Sequence, residues 1–114
     1  MLSAKHRVVT DRDWHNLHRR GLTYHEADAV LKILPQQRPV TRFGFSIGLK
    51  VHKKSTQRNL LKRRLRAIAA SLLPKMKPGY DIAIIAKPPL KDLTFLDLRA
   101  HIISLFIRAK LLQK

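Results

Sequence analysis

Apolar residues recur along this chain with two different periods, and the switches between them mark its elements. Thr10-Asp11-Arg12-Asp13 opens a short helix, with Thr10 and Asp13 at capping-box spacing and Val9 placed to staple onto Trp14. Arg19 and Arg20 suit a helix C-terminus, and Gly21 closes it. From Ala27 to Leu34 the period drops to two, with Ala27, Ala29, Leu31 and Ile33 on one strand face. A loop over 35–39 follows. The next alternation is the cleanest in the chain: Thr41, Phe43, Phe45, Ile47, Leu49 and Val51 are expected on a core face. Val40, Arg42, Gly44, Ser46, Gly48 and Lys50 occupy the other, which is almost bare in its middle with a cation towards each end.

Helical spacing returns at Ser55 or Thr56 and runs to about Leu73, before Pro74. Pro78-Gly79 marks a turn, and Tyr80 to Ala86 is a nearly all-apolar run of the kind found in central strands. Pro88-Pro89 breaks the chain again. Phe95, Leu98, Ile102, Leu105, Ala109 and Leu112 then repeat at helical spacing, with Thr94 and Asp97 as a second capping pair. The order helix, strand, strand, helix, strand, helix predicts an α+β fold, a small α/β sandwich with a mixed sheet. The length fits one domain over 1–114.

Residues 58–66, RNLLKRRLR, carry six cations in nine positions. On a helical wheel Leu61, Leu65, Ile68 and Leu72 fall within about 60° of one another and form an apolar stripe. Asn59, Lys62, Arg63 and Arg66 take the opposite arc, while Arg58 and Arg64 flank the stripe. The ridge does not serve stability. Like charges at i,i+4, Arg58 with Lys62 and Lys62 with Arg66, each cost a few tenths of a kcal/mol. Arg58 also sits in the first turn, where the macrodipole disfavours a cation.

The charge balance points the same way. Twenty-four Lys and Arg against seven Asp and Glu give a net charge of +17, and no acid lies between Asp28 and Asp81. Such a field is retained for a polyanionic partner. Nucleic acid fits better than a membrane, because no basic amphipathic helix stands apart from the core pattern. No apolar run approaches a membrane span and no signal-peptide core is visible, so cytoplasmic residence is the expectation. The absence of cysteine excludes disulfides, thiolate zinc sites and cysteine catalysis.

No catalytic constellation emerges. Asp11, Asp13, Asp92 and Asp97 lie near helix starts, and Glu26 with Asp28 is the one credible metal pair, better explained as a surface hairpin pair. His15 and His18 lack a third ligand, and His6, His25, His52 and His101 form no pattern. No cofactor or metal bound by side chains is expected. Guanidinium groups that bond phosphate bidentately, with Asn59 able to reach sugar or base, suit recognition of A-form RNA by shape.

The basic motif resembles that of the protein subunit of bacterial ribonuclease P, whose signature is Arg-Asn-Arg leading a basic, apolar-spaced helix. Arg58-Asn59-Leu60-Leu61-Lys62-Arg63-Arg64-Leu65-Arg66 fits it, preceded by the strand Arg42 to Lys50. The similarity continues through Tyr80 to Lys87, the closing helix and the acidic-aromatic pair Asp13-Trp14. Leu60 replaces the signature's second arginine, His18 a second aromatic, and Lys32 an aromatic on the first strand. The resemblance implies a four-stranded sheet, three helices and an unusual left-handed βαβ crossover. It implies an RNA-binding surface of Lys50, Lys53, Lys54, Arg58, Asn59, Lys62, Arg63, Arg64 and Arg66. It further implies a leader cleft drawing on Trp14, His18, Lys32, Arg42, Gly44, Ser46 and Gly48. The implied partners are ribonuclease P RNA and precursor tRNA, with no membrane and no obligate protein partner. The RNA subunit, using Mg2+, would cleave the 5′ leader, this chain supplying no catalytic residue. A ribosomal or general structured-RNA-binding protein is the alternative.

Overall fold

Thr10 caps the first helix as its spacing predicts: Oγ1 accepts the Asp13 N–H at 3.1 Å and donates to the Asp13 carboxylate at 2.8 Å. In the computed structural model, which describes residues 4–8, 10–26, 28–37 and 39–112, this helix is α1, Asp11–Arg20. The Gly21 N–H closes it on the Leu17 carbonyl at 3.0 Å. Val9, the staple residue, and Ala27, the first residue of the expected strand face, lie outside the described residues.

Four strands follow: β1 Leu22–His25, β2 Ala29–Pro35, β3 Arg42–Ser46 and β4 Tyr80–Ala86. They order as β1-β2-β4-β3, with β2 antiparallel to both β1 and β4, and β3 parallel to β4. The helix α2, Ser55–Leu72, makes the crossover between the parallel pair, and α3, Phe95–Arg108, closes the fold. The fold is thus α+β, three α-helices and a mixed four-stranded sheet among the described residues.

β4 is central and its alternation feeds two cores. Ile82, Ile84 and Ala86 join Phe43, Leu31 and the apolar stripes of α2 and α3 in the larger one. On the opposite face Ala83 meets Val8, Leu17 and Leu34 beneath α1, with Trp14 packed against them. Leu61, Leu65, Ile68 and Leu72 are all buried, so the helical wheel named the docking face of α2.

Three departures from the sequence reading have physical reasons. The fourth strand that the resemblance implies is β1, which the apolar pattern does not place because this edge strand is largely exposed and carries no apolar alternation. The long alternation after Thr41 stays in the sheet only to Ser46. A turn then takes over, with the Val51 N–H bonded to the Gly48 carbonyl at 3.0 Å. Ile47 and Val51 still dip into the core, mimicking a strand, but Leu49 is 68% exposed rather than buried. Lastly, α3 ends at Arg108, and Lys110 turns the chain with φ 62°. Leu111 and Leu112 fold back onto the core from that turn.

Candidate nucleic-acid interface

β3 lies at the sheet edge, with α1 over one face and α2 over the other. An edge strand between two helices leaves a cleft along its length. Two adjoining hollows of about 300 and 400 Å³ share Trp14, Phe45 and Lys62. Helix α1 contributes Trp14 and His18, whose rings stack at 5.9 Å and 24°. Strand β3 contributes Phe45 and Ser46, and α2 contributes Lys62 with Arg66 beside it. The cleft therefore offers ring faces on one wall and cations on the other.

Gly44 sets the depth of this cleft. A Cβ there would meet Trp14 ring atoms at 2.5 and 2.7 Å, so the indole rests directly on the strand backbone. Trp14 is half-buried, serving both as lid of the smaller core and as cleft wall. Gly44 is thus buried under the ring, not left open as a bare strand surface. Ser46 and Gly48 further along are exposed, and a Cβ at Gly48 would meet open space.

Arg42, expected in the cleft, is instead a brace. Its Nε and Nη2 donate to the two Asp81 carboxylate oxygens at 2.9 and 2.7 Å, and Nη1 donates to Asp13 at 3.1 Å. Asp81 is fully buried and also accepts Gln36 Nε2 at 3.0 Å. The hydrogen bond to Asp81, with the Asp13 contact adding to it and outweighing desolvation, raises the Arg42 pKa above the ordinary arginine value. Asp13 consequently ties the α1 cap to β3, which fixes Trp14 one residue on. Lys32 likewise supports α1, its Nζ lying 3.5 Å from the His18 carbonyl.

The basic ridge divides in two. Lys62 and Arg66, one turn apart, are half-buried and face the cleft, whereas Asn59, Arg63 and Arg64 are exposed. Lys50, Lys53 and Lys54 are exposed around the start of α2, whose first turn carries no acid. The helix dipole adds to that positive end. Arg58 has a structural duty as well: Nη1 donates to the His52 and Lys53 carbonyls, both at 2.9 Å, holding the loop that carries those lysines. Leu60 is 38% exposed.

The acids considered for metal binding line one hollow beside α3, and each has its own partner on that helix. Arg108 Nη1 donates to Glu26 at 2.5 Å, and His101 Nδ1 lies 2.5 Å from Asp28. No group of three His, Asp or Glu placed to hold a metal ion exists among the described residues. Phe45 is a cleft residue that the sequence reading assigned to the core alone. Its alternation puts it on the core side, as expected, but at the sheet edge that side is only half covered.

Fold and site together define a small basic α+β domain with Lys62 and Arg66 along one wall of an open cleft. Residues 2–110 match the ribonuclease P family, and the chain belongs to that family. It is 31% identical to the ribonuclease P protein component of Picosynechococcus sp. over 109 residues, 96% of this chain and 94% of that one. Against the counterpart of Clavibacter michiganensis subsp. michiganensis identity is 37% over 111 residues, 96% of both chains. The fold matches the solved RNase P protein of Staphylococcus aureus with a TM-score of 0.87 at 22% identity, covering 95% of this chain and 98% of that one. For the Thermotoga maritima protein the TM-score is 0.82 at 24% identity, covering 90% and 96%. As a member of this family the protein is an RNA-binding component of a ribonucleoprotein endoribonuclease. No described helix is long and apolar enough to cross a membrane.

Proposed function

We propose that this chain assists the ribonuclease P RNA in removing the 5′ leader of precursor tRNA, with the two binding jobs on separate surfaces. The observation that carries this reading is the division of one basic helix between a cleft and an outer ridge. Exposed Arg63, Arg64 and Asn59, with Lys50, Lys53 and Lys54, present donors to the phosphates of the folded RNA subunit. Lys62 and Arg66 line a cleft whose Trp14 and Phe45 rings suit an unpaired strand, such as a leader.

In this reading bond cleavage belongs to the RNA subunit, where Mg2+ would supply a Lewis acid and an activated water. The protein's residues bind and orient. Cation contacts along the leader would hold the precursor against the RNA subunit and lessen the need for free magnesium to screen two polyanions. Action of this kind takes place where tRNA is made and processed, in the cytoplasm.

A general structured-RNA-binding protein would share the ridge, so discrimination must be measured. In competition at physiological salt, the protein should favour a bacterial ribonuclease P RNA over an unrelated folded RNA of equal length by roughly tenfold or more. Equal affinity for both would replace this reading with the general one.

A further inference from the structure

A second groove, of about 620 Å³, lies between the C-terminal end of α2 and one side of α3. At 1.5 Å of rise per residue it begins roughly 27 Å along the helix from Lys54, at the opposite end from the lysines that open α2. Arg99, Ile103 and Ile107, spaced four residues apart and all half-buried, form one wall. Lys75 and Lys77, both exposed, form the other on the segment that leaves α2. Buried Leu72, Met76, Leu111 and Leu112 close the floor between them.

Backbone bonds hold these walls in place. The Lys77 N–H donates to the Leu111 carbonyl at 3.1 Å, and Thr41 Oγ1 donates to the Lys77 carbonyl at 3.1 Å. The turn at Lys110 sends Leu111 back to the core, where its N–H bonds the Phe106 carbonyl at 2.8 Å. A groove built this way needs little ordering when something enters it.

Charge and shape together select the occupant. No acid lines the groove among the described residues, and none of the ion pairs among them includes Lys75, Lys77 or Arg99. A fitting ligand is therefore anionic at its edges and apolar along its middle. A second copy of this chain carries its own +17 and is repelled. Double-helical RNA presents phosphates and riboses while its bases stay stacked, which leaves the apolar floor unmatched. An amphipathic helix with acidic flanks satisfies both features, its apolar stripe on the floor and its carboxylates against the cations of the two walls.

We propose that this groove docks an acidic amphipathic helix of a partner protein, so that the chain can hold RNA and protein at once. The chain has no cysteine, so Lys75→Cys places a single environment-sensitive fluorophore on the groove rim of the full-length protein. The probe is a synthetic helix of about 18 residues, with leucines at i, i+3, i+4 and i+7 and glutamates between them. Its control has the same composition scrambled to break the stripe. The striped peptide should bind roughly tenfold more tightly than the scrambled one, and Ile103→Ser should abolish that preference. Lys77→Glu, a change at an exposed side chain, should weaken the striped peptide roughly tenfold and keeps the test readable should Ile103→Ser not fold. Equal binding of the two peptides would mean attraction by charge alone and would overturn the proposal. A fluorophore response to ribonuclease P RNA that also excludes the striped peptide would assign the groove to RNA and overturn it too.

Discussion

A methyl group added at Gly44 would sit 2.5 Å from the Trp14 ring, and the rigid indole cannot fold away from it. Gly44→Ala should therefore lift the ring from the strand and destabilise the protein by roughly 1–3 kcal/mol. Trp14 is the chain's one tryptophan, so its fluorescence reports the displacement directly. A shifted emission maximum and a lower denaturation midpoint are expected; neither changing would show that the close approach is not maintained. The same scale explains why Arg42 was assigned to the cleft from sequence. An arginine on a face that also bears Gly44 and Ser46 looks available to a ligand. Its acceptors, Asp81 and Asp13, come from a strand and a helix distant in sequence. Nothing local announces that pairing.

Among the elements, α2 shows what separates binding from bracing. Arg63 is exposed, whereas Arg58 holds two loop carbonyls. Arg63→Ala should leave the melting temperature unchanged and reduce the log–log salt slope of RNA binding by roughly one unit. Arg58→Ala should cost about 1 kcal/mol of stability as well, because its charge-assisted bonds order the loop bearing Lys53 and Lys54. Paired thermal melts and salt titrations separate the two; an unaltered slope for Arg63→Ala would make it a merely solvated residue. The docking stripe of α2 was legible because the 3.6-residue period sets Leu61, Leu65, Ile68 and Leu72 on one face whatever the fold. Which cations turn into the cleft was not. Lys62 and Arg66 face it because β3 is an edge strand, and strand order is a property of topology that no periodicity carries. Leu49 was misplaced for a related reason: a turn that returns Ile47 and Val51 to the core imitates a strand's alternation.

At the scale of the whole molecule, a charge of +17 on 114 residues is a self-repelling arrangement that a polyanion relieves. The fold distributes that charge by use. The larger core lies between the sheet and α2 with α3, away from the strand face that α1 covers, and the α1–β3–α2 edge is left to carry the cleft. Under the proposed function the protein would hold two RNAs together by supplying positive charge that bulk magnesium must otherwise supply, so its benefit should be greatest when magnesium is scarce. Cleavage of precursor tRNA by a bacterial ribonuclease P RNA at low magnesium, with and without this chain, tests that claim most directly. The account predicts a marked acceleration with the protein that shrinks as magnesium rises; equal rates in both reactions at low magnesium would contradict it.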